Sequence, residues 1–174
     1  FLKSQGYKIG ASLHDEGSLE FAINLIQKAK EKGIELLLPD DLVIADSFDN
    51  NASTRIINIE EGVPEGWLIL DIGPKSIEIF SRSIFGSATV LWNGPMGVFE
   101  MEKFSQGTYA IAKILADATD KGSVTIIGGG DSAAAIQNFG LIKRITHVST
   151  GGGASLEFLK GQELPGLSAI QVSK

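Results

Sequence analysis

Two glycine-rich runs in the sequence have the composition of phosphate-binding turns. They occupy residues 128–132 (Gly-Gly-Gly-Asp-Ser) and residues 151–155 (Gly-Gly-Gly-Ala-Ser). Each run follows an apolar stretch typical of a strand and precedes a stretch typical of a helix. A helix N-terminus presents unpaired backbone N–H groups with a partial positive charge, and glycine lets a phosphate approach them closely. The two runs therefore predict a cradle for a polyphosphate.

Asp131 and Ser132 add side-chain chemistry to the first glycine run. The Asp131 carboxylate is a suitable ligand for Mg²⁺, and the Ser132 hydroxyl could contact a phosphate or the metal. The alternative interpretation is that the glycines only permit tight turns, with Asp131 and Ser155 capping the helices that follow. The binding interpretation is favoured because two such runs follow strands of one predicted sheet.

Comparison of the sequence with two known phosphate-binding patterns restricts the possible classes of phosphate ligand. No Gly-Lys-Ser or Gly-Lys-Thr occurs, so the chain has no Walker A loop. Gly128, Gly130 and Ala133 satisfy the dinucleotide pattern G-x-G-x-x-A. That pattern also needs an acidic residue for the ribose at the end of the next strand, and none occurs there. An NAD-dependent oxidoreductase domain is therefore kept as the alternative.

A third segment, residues 92–100, combines polar and apolar side chains around two glycines. Asn93 offers a donor and an acceptor at the end of a predicted strand, and Glu100 could accept hydrogen bonds from ribose hydroxyls. The alternative for Glu100 is an acid in the first turn of a helix, where the helix dipole favours it. Trp92 and Phe99 are interpreted as core residues.

Composition limits the classes of function that remain. The 174 residues are 43% hydrophobic and carry 15 basic against 21 acidic side chains, which gives a net charge of −6. Because a duplex-binding protein usually carries a basic patch, we expect no nucleic-acid partner. No apolar run approaches the roughly 18–20 residues of a membrane span, so no membrane association is expected. The absence of cysteine excludes disulfides, a thiol nucleophile and a zinc–cysteine site, and fits a cytoplasmic protein.

The predicted elements alternate between helices and strands, which indicates an α/β fold. Before Trp67, a helix is predicted at residues 18–32 and strands at residues 34–38, 42–45 and 55–59. From Trp67 onward, four strands, each followed by a glycine-bearing turn and a helix, are predicted at residues 67–70, 88–92, 123–127 and 145–149. Continuous apolar strands predict a mostly parallel sheet with helices on both faces. All four turns would then lie at one sheet edge, where ligands bind.

The motifs together resemble those of the phosphoglycerate kinase family. The matching segments are residues 70–74, 92–100, 126–132 and 147–157, and the resemblance extends over the whole chain. It implies a three-layer, Rossmann-like lobe that is incomplete at its N-terminus. Residues 1–174 would form a single domain, namely most of the C-terminal, nucleotide-binding lobe of a two-lobe kinase. The N-terminal substrate lobe would lie outside the sequence, which begins without methionine.

The resemblance implies a phosphotransferase of glycolysis that uses a carboxyl group as acceptor. It would transfer a phosphoryl group reversibly between 1,3-bisphosphoglycerate and ADP, giving 3-phosphoglycerate and ATP, with Mg²⁺ as cofactor. ADP or ATP would bind this chain, the phosphoglycerates would bind the absent lobe, and the whole protein would be a monomer. Without the family's upstream cationic segment, the chain alone is expected to be inactive. A non-catalytic fragment with purely structural glycine turns is a further alternative.

The resemblance also implies roles for individual residues. The implied nucleotide-binding residues are Leu13, Asn93, Pro95, Glu100, Gly129, Gly130, Asp131 and Ser132. Among them, Leu13 would form an apolar wall for adenine, Glu100 would bind ribose, and Asp131 would bind Mg²⁺. The implied catalytic residues, which would face the transferred phosphoryl group, are Gly130, Gly152 and Gly153. The chain departs from many family members at Ile69, where they have glycine.

Overall fold

The computed structural model describes residues 1–170 and confirms the α/β class. The strands in this part are β1 (Asp41–Ala45), β2 (Thr54–Asn58), β3 (Leu68–Ile72), β4 (Thr89–Asn93), β5 (Val124–Gly128) and β6 (His147–Ser149). The helices are α1 (Leu19–Glu31), α2 (Pro74–Phe85), α3 (Gln106–Asp120), α4 (Gly130–Asn138), α5 (Gly152–Leu159) and α6 (Pro165–Ser168). Single turns of 3₁₀ helix occur at Lys3–Gln5, Glu16–Ser18, Ile59–Glu61, Glu102–Phe104 and Ile142–Arg144.

The described chain packs as two compact units. The first unit contains Phe1–Ser83 and Met96–Ile111, and the second contains Ile84–Pro95 and residues 112–170. Strands β1, β2 and β3 belong to the first unit, and β4, β5 and β6 belong to the second. None of the helices within residues 1–170 is long and apolar enough to cross a lipid bilayer.

The first unit contains an antiparallel sheet with the strand order β2-β1-β3. β1 lies in the centre and pairs antiparallel with both neighbours, with a register shift between Val43 and Ile44 opposite β3. Leu42, Ile44 and Ile57 form part of its apolar core. The sequence prediction that β3 joins the parallel sheet is therefore wrong. A short apolar run has the same composition in either type of sheet, so its partner and direction are set by tertiary packing.

The second unit contains the predicted parallel sheet, with the strand order β4-β5-β6. Pairing in register brings Asn93 opposite Gly128, and Gly128 opposite Ser149. Ile127 of β5 and Ile136 of α4 are fully buried in this unit. Because parallel strands end at the same edge of a sheet, the turns after β4, β5 and β6 share one edge. The expectation of four turns at one edge thus holds for three, since the fourth turn follows β3.

The strand predicted at residues 34–38 is absent from the described structure. Gly33 has a φ of +65°, and the Ile34 N–H donates a hydrogen bond of 2.9 Å to the Ala29 carbonyl oxygen. These features form a Schellman motif, which closes α1 at Gly33. Ile34 is 60% exposed, and Pro39 follows shortly after. The apolar run remains irregular because its first residue caps a helix and no strand edge pairs with it among residues 1–170.

A buried aspartate caps helix α2 from a neighbouring strand. The Asp41 carboxylate accepts hydrogen bonds from the backbone N–H groups of Lys75 (3.0 Å) and Ser76 (2.8 Å). It also accepts a hydrogen bond of 2.7 Å from the Ser76 hydroxyl. Asp41 is only 2% exposed, and a Cβ at Gly73 would overlap its carboxylate. The positive end of α2 is therefore neutralised from within the fold.

A second buried aspartate serves helix α3 in the same way. Asp71 is 1% exposed and accepts a hydrogen bond of 2.7 Å from the Gly107 N–H, in the first turn of α3. Its other carboxylate oxygen accepts the Ile72 N–H at 2.8 Å. Burial raises the pKa of the Asp71 carboxyl from 3.8 to about 6, although the two hydrogen bonds act in the opposite direction. The start of α3 is thus also occupied by a protein carboxylate.

Candidate functional site

The two triple-glycine turns lie side by side at the carboxyl edge of the parallel sheet. One turn joins β5 to α4, and the other joins β6 to α5. The Gly129 N–H donates a hydrogen bond of 3.1 Å to the Ser149 carbonyl oxygen, which links the two turns. The sequence prediction that both glycine runs connect a strand to a helix at one edge is confirmed.

Contact between the turns requires glycine at two positions. A Cβ on Gly152 would lie 2.6 Å from the Gly129 Cα and 2.8 Å from its nitrogen, which is closer than real Cβ atoms approach other atoms. Gly129 itself has a φ of +99°, a conformation that side chains rarely adopt. The backbones at the starts of α4 and α5 are therefore in direct contact.

The starts of α4 and α5 carry no capping side chain. At neither N-cap, Gly129 or Gly151, does the structure of residues 1–170 contain a side-chain capping hydrogen bond. Gly130 and Gly153 are exposed, and a Cβ at either position would meet open space. The starts of both helices are thus open around Gly130 and Gly153. Two adjacent helix N-termini of this kind form a suitable site for an anion such as a phosphate.

Asn93 lies between the two glycine turns at the end of β4. A Cβ on Gly128 would lie 3.2 Å from the Asn93 amide nitrogen, and a Cβ on Gly152 would lie 3.3 Å from the same atom. The structure therefore brings Asn93 together with both glycine runs, as a ligand-lining residue requires. Pro95, two residues later, is half-buried at the end of this segment of the second unit.

Ser132 is fully buried, and its hydroxyl has a structural partner. The Ser132 Oγ accepts a hydrogen bond of 2.7 Å from the Gly94 N–H. Gly94 has a φ of +96°, and the bond fixes the turn that follows Asn93 to the first turn of α4. The sequence predicted that this hydroxyl contacts a phosphate or a metal, and it did not indicate the structural role. Its partner lies 38 residues away, which no local pattern indicates.

Asp131 is exposed in the first turn of α4 and is available to a metal ion. No group of three or more His, Cys, Asp or Glu side chains that could hold a metal occurs among residues 1–170. A single carboxylate is enough for Mg²⁺ when a phosphate ligand is also bound, because this ion keeps several waters and takes its other ligands from substrate phosphates. The residues present are therefore compatible with a metal that arrives with a nucleotide.

Leu13 belongs to the first unit and lines an apolar cavity there. The cavity has a volume of about 480 Å³ and is lined by Ala11, Ser12, Leu13, Phe48, Leu68, Ile69, Leu70 and Val98. Leu13 is fully exposed, and Phe48 is 61% exposed. Phe48 and Val98 were missed in the sequence. Phe48 is an aromatic residue within a polar loop, and this pattern in the sequence could have indicated a ligand contact.

Ile69 forms part of the wall of this cavity. Its backbone N–H donates a hydrogen bond of 2.9 Å to the Ser12 hydroxyl, and Ser12 is 8% exposed. The chain thus places a large apolar side chain in the wall of this cavity. An apolar cavity of this size accommodates a flat, apolar group such as a nucleobase.

Glu100 is exposed and lies two residues after Val98, which lines the cavity. Phe99, which lies between Val98 and Glu100, is buried, whereas the Glu100 side chain is exposed. Of the residues predicted to bind a nucleotide, Leu13 and Glu100 thus belong to the first unit. Asn93, Pro95 and the glycine runs belong to the second unit.

Comparison with known proteins identifies relatives along the whole chain. The phosphoglycerate kinase family model matches residues 1–162. The phosphoglycerate kinase of Thermosipho africanus is 55% identical over 174 residues, which is all of this chain and 43% of that relative. That of Microcystis aeruginosa is 53% identical over 170 residues, or 98% of this chain and 42% of the relative. The chain therefore spans less than half the length of the curated relatives it matches.

Solved structures agree with the sequence relatives. The structure of phosphoglycerate kinase from Coxiella burnetii has a TM-score of 0.89 and 42% identity, covering 96% of this chain and 42% of that protein. Phosphoglycerate kinase from Pyrococcus horikoshii has a TM-score of 0.72 and 32% identity, covering 97% of this chain and 42% of that protein. On the family model and these similarities together, the chain belongs to the phosphoglycerate kinase family.

Proposed function

We propose that this chain is the nucleotide-binding part of a phosphoglycerate kinase, which transfers a phosphoryl group reversibly between 1,3-bisphosphoglycerate and ADP. The observation that carries the proposal is the pair of contacting helix starts at Gly129 and Gly152, which lack side-chain caps within residues 1–170. Their free N–H groups suit the terminal phosphates of a nucleotide. Because the chain belongs to a kinase family, the oxidoreductase alternative is not retained.

In the proposed reaction, little covalent chemistry is required from the protein. The bond between the transferred phosphorus and the carboxylate oxygen of 1,3-bisphosphoglycerate breaks, and that oxygen keeps the electron pair. A terminal oxygen of the ADP β-phosphate forms the new bond to phosphorus, giving ATP and 3-phosphoglycerate. Backbone N–H groups at Gly130, Gly152 and Gly153 would stabilise the negative charge on the transferred group.

Mg²⁺, when bound, would neutralise charge on the phosphate oxygens, and Asp131 is the residue proposed to hold it. Asn93 and Pro95 would line the phosphate region. Ser132 would contribute its backbone N–H and hold the Asn93–Gly94 turn through its buried hydroxyl. In the first unit, the proposed roles of Leu13 as an adenine wall and Glu100 as a ribose ligand follow from the family resemblance.

The proposal extends to the whole protein. Its relatives are more than twice as long as this chain, and their remaining part would bind 3-phosphoglycerate or 1,3-bisphosphoglycerate. We propose a cytoplasmic monomer in which residues 1–174 belong to one lobe, although one relative, from Volvox carteri, is chloroplastic. We expect negligible phosphoryl transfer by the chain alone, measured by a coupled assay, since it offers backbone amides and a carboxylate but no cationic segment.

Calorimetric titration of Mg-ADP into the chain tests the proposal. Asp131→Ala and added EDTA should each weaken binding roughly tenfold or more, because each removes the metal link to the phosphates. Glu157→Ala is the matched control, as it removes an exposed acid from α5 outside the glycine turn and should leave the affinity unchanged. Equal affinities for all variants, with and without EDTA, would contradict the proposed metal and phosphate loop. The structural-fragment alternative predicts no saturable heat in any titration.

A further inference from the structure

The buried carboxylate of Asp71 has no role in the proposed chemistry and, within residues 1–170, no cationic partner. It lies at 1% exposure near the end of β3, and no ion pair involves it among residues 1–170. Charged groups are costly to bury unless something in the fold compensates for the loss of water. The compensation here comes from two backbone N–H groups, those of Gly107 and Ile72.

Two glycines from other parts of the first unit approach this carboxylate closely. A Cβ on Gly97 would lie 2.5 Å from the Asp71 carboxyl carbon, and a Cβ on Gly107 would overlap a carboxylate oxygen. Neither glycine has a positive φ, so the requirement at both positions is space around the carboxylate. Asp71 thus contacts both the segment before Val98 and the start of α3.

The same segment is fixed at three further points. The Val98 N–H donates a hydrogen bond of 2.9 Å to the carbonyl oxygen of Leu70, the neighbour of Asp71. The N–H groups of Met96 and Gly97 each donate to the Thr108 Oγ1 at 3.1 Å. Thr108 is fully buried and follows Gly107, whose N–H Asp71 accepts. Residues 96–98 are therefore held between β3 and the first turn of α3. Asp71 is hydrogen-bonded to α3 and packs against residues 96–98.

We infer that Asp71 is a positioning residue, which fixes residues 96–99 and through them sets the location of Glu100. The inference rests on the proposed function, in which Glu100 binds ribose hydroxyls. The buried carboxylate holds the end of β3, the segment around Gly97 and the start of α3 in fixed positions relative to one another. A carboxylate that only capped α3 would need contact with Gly107 but not with Gly97.

Amide hydrogen exchange of the native chain and its variants tests the positioning directly. Asp71→Asn should speed exchange at the Gly97 and Val98 amides roughly tenfold or more, because local opening becomes easier. Asp41→Asn is the matched control, since Asp41 is equally buried and caps α2. It should speed exchange at Lys75 and Ser76 but leave Gly97 and Val98 unchanged. Gly97→Ala, which presses a Cβ against the native carboxylate, provides a second variant and should act like Asp71→Asn.

Nucleotide discrimination tests the consequence for Glu100. Titrations with ADP and with 2′,3′-dideoxy-ADP, followed by NMR at millimolar concentrations, measure the contribution of the ribose hydroxyls. Asp71→Asn should reduce the native preference for ADP at least threefold, whereas Asp41→Asn should retain it. Native exchange rates at Gly97 and Val98 in both the Asp71→Asn and Gly97→Ala variants would overturn the inference. If the native chain itself does not distinguish the two nucleotides, the proposed ribose role of Glu100 fails, and the exchange rates still decide the role of Asp71.

Discussion

Helices α2 and α3, which begin in the first unit, start in a different way from helices α4 and α5 of the second unit. In the first unit, α2 and α3 begin against the buried carboxylates of Asp41 and Asp71, which accept their first N–H groups. In the second unit, α4 and α5 begin at glycines, and no capping side chain is present there among the described residues. Every helix N-terminus carries partial positive charge, so the two arrangements differ in what neutralises it.

The difference indicates where a ligand can bind. A helix start whose N–H groups already donate to a carboxylate offers fewer free N–H groups to a second anion. The contacting starts of α4 and α5 keep theirs, at the edge of a parallel sheet where ligands commonly bind. The starts of α2 and α3 thus use aspartate to stabilise the fold, and we propose that the starts of α4 and α5 leave the equivalent position to a phosphate.

Asp41→Ala should lower the free energy of unfolding by about 3 kcal/mol. It leaves the buried N–H of Ser76 and the N–H of Lys75 without an acceptor, and each unsatisfied buried donor is costly. Chemical denaturation of the native chain and the variant gives the difference directly. A change below roughly 0.5 kcal/mol, the range of an ordinary surface substitution, would show that this cap adds little stability.

Gly152→Ala should lower the free energy of unfolding by about 2 kcal/mol and abolish phosphate binding. The new Cβ would overlap the Gly129 backbone, which cannot move as a side chain can. Gly153→Ala is the matched control for stability, because its Cβ enters open space and alanine favours a helix. Thermal melts of the two variants should separate clearly. Equal melting temperatures would contradict a close contact between the Gly152 and Gly129 backbones.

The Asp71 carboxyl should make stability depend on pH. Its folded pKa of about 6 exceeds its ordinary value of 3.8, so the folded state binds more protons between these values. The stability contribution of Asp71 is therefore fully present below about pH 4, falls as the pH rises to 6, and is constant above. The free energy of unfolding of the native chain, minus that of Asp71→Asn, should fall by on the order of 2 kcal/mol over this range. A flat difference would contradict the burial of a titrating carboxylate.

Asp131→Ala should change the free energy of unfolding by less than about 0.5 kcal/mol. Asp131 is exposed and lies at an open helix start, unlike Asp41 and Asp71. Denaturation in the absence of nucleotide measures this effect separately from binding. A loss comparable to that of Asp41→Ala would remove the distinction between the two kinds of helix start.

The sequence predicted the local features of the fold well. Apolar runs and glycine turns predicted β4, β5 and β6 to within a few residues, and a helix after each of them, because these patterns act over short distances. The antiparallel pairing of β3 with β1 was not predicted, because strand pairing is decided by tertiary packing and not by the local sequence. The irregular run at residues 34–38 was missed because capping of α1 used the Ile34 N–H.

The candidate site was predicted in a similar way. The glycine runs and Asn93 were found from their types and positions, and the structure brings them together. The roles of Asp41, Asp71 and Ser132 were missed, since each acts on a partner 34 to 38 residues away. A carboxylate that caps a helix from another strand leaves no pattern in the sequence around that helix.

The most direct test of the contrast is an NMR titration of the ¹⁵N-labelled chain with Mg-ADP. It reports on the starts of α2, α3, α4 and α5 in one experiment. We expect saturable shifts at the amides of residues 129–132 and 152–155, and none at the starts of α2 and α3, around Lys75 and Gly107. Shifts of equal size at all four starts, or none at the glycine turns at saturating nucleotide, would contradict this expectation.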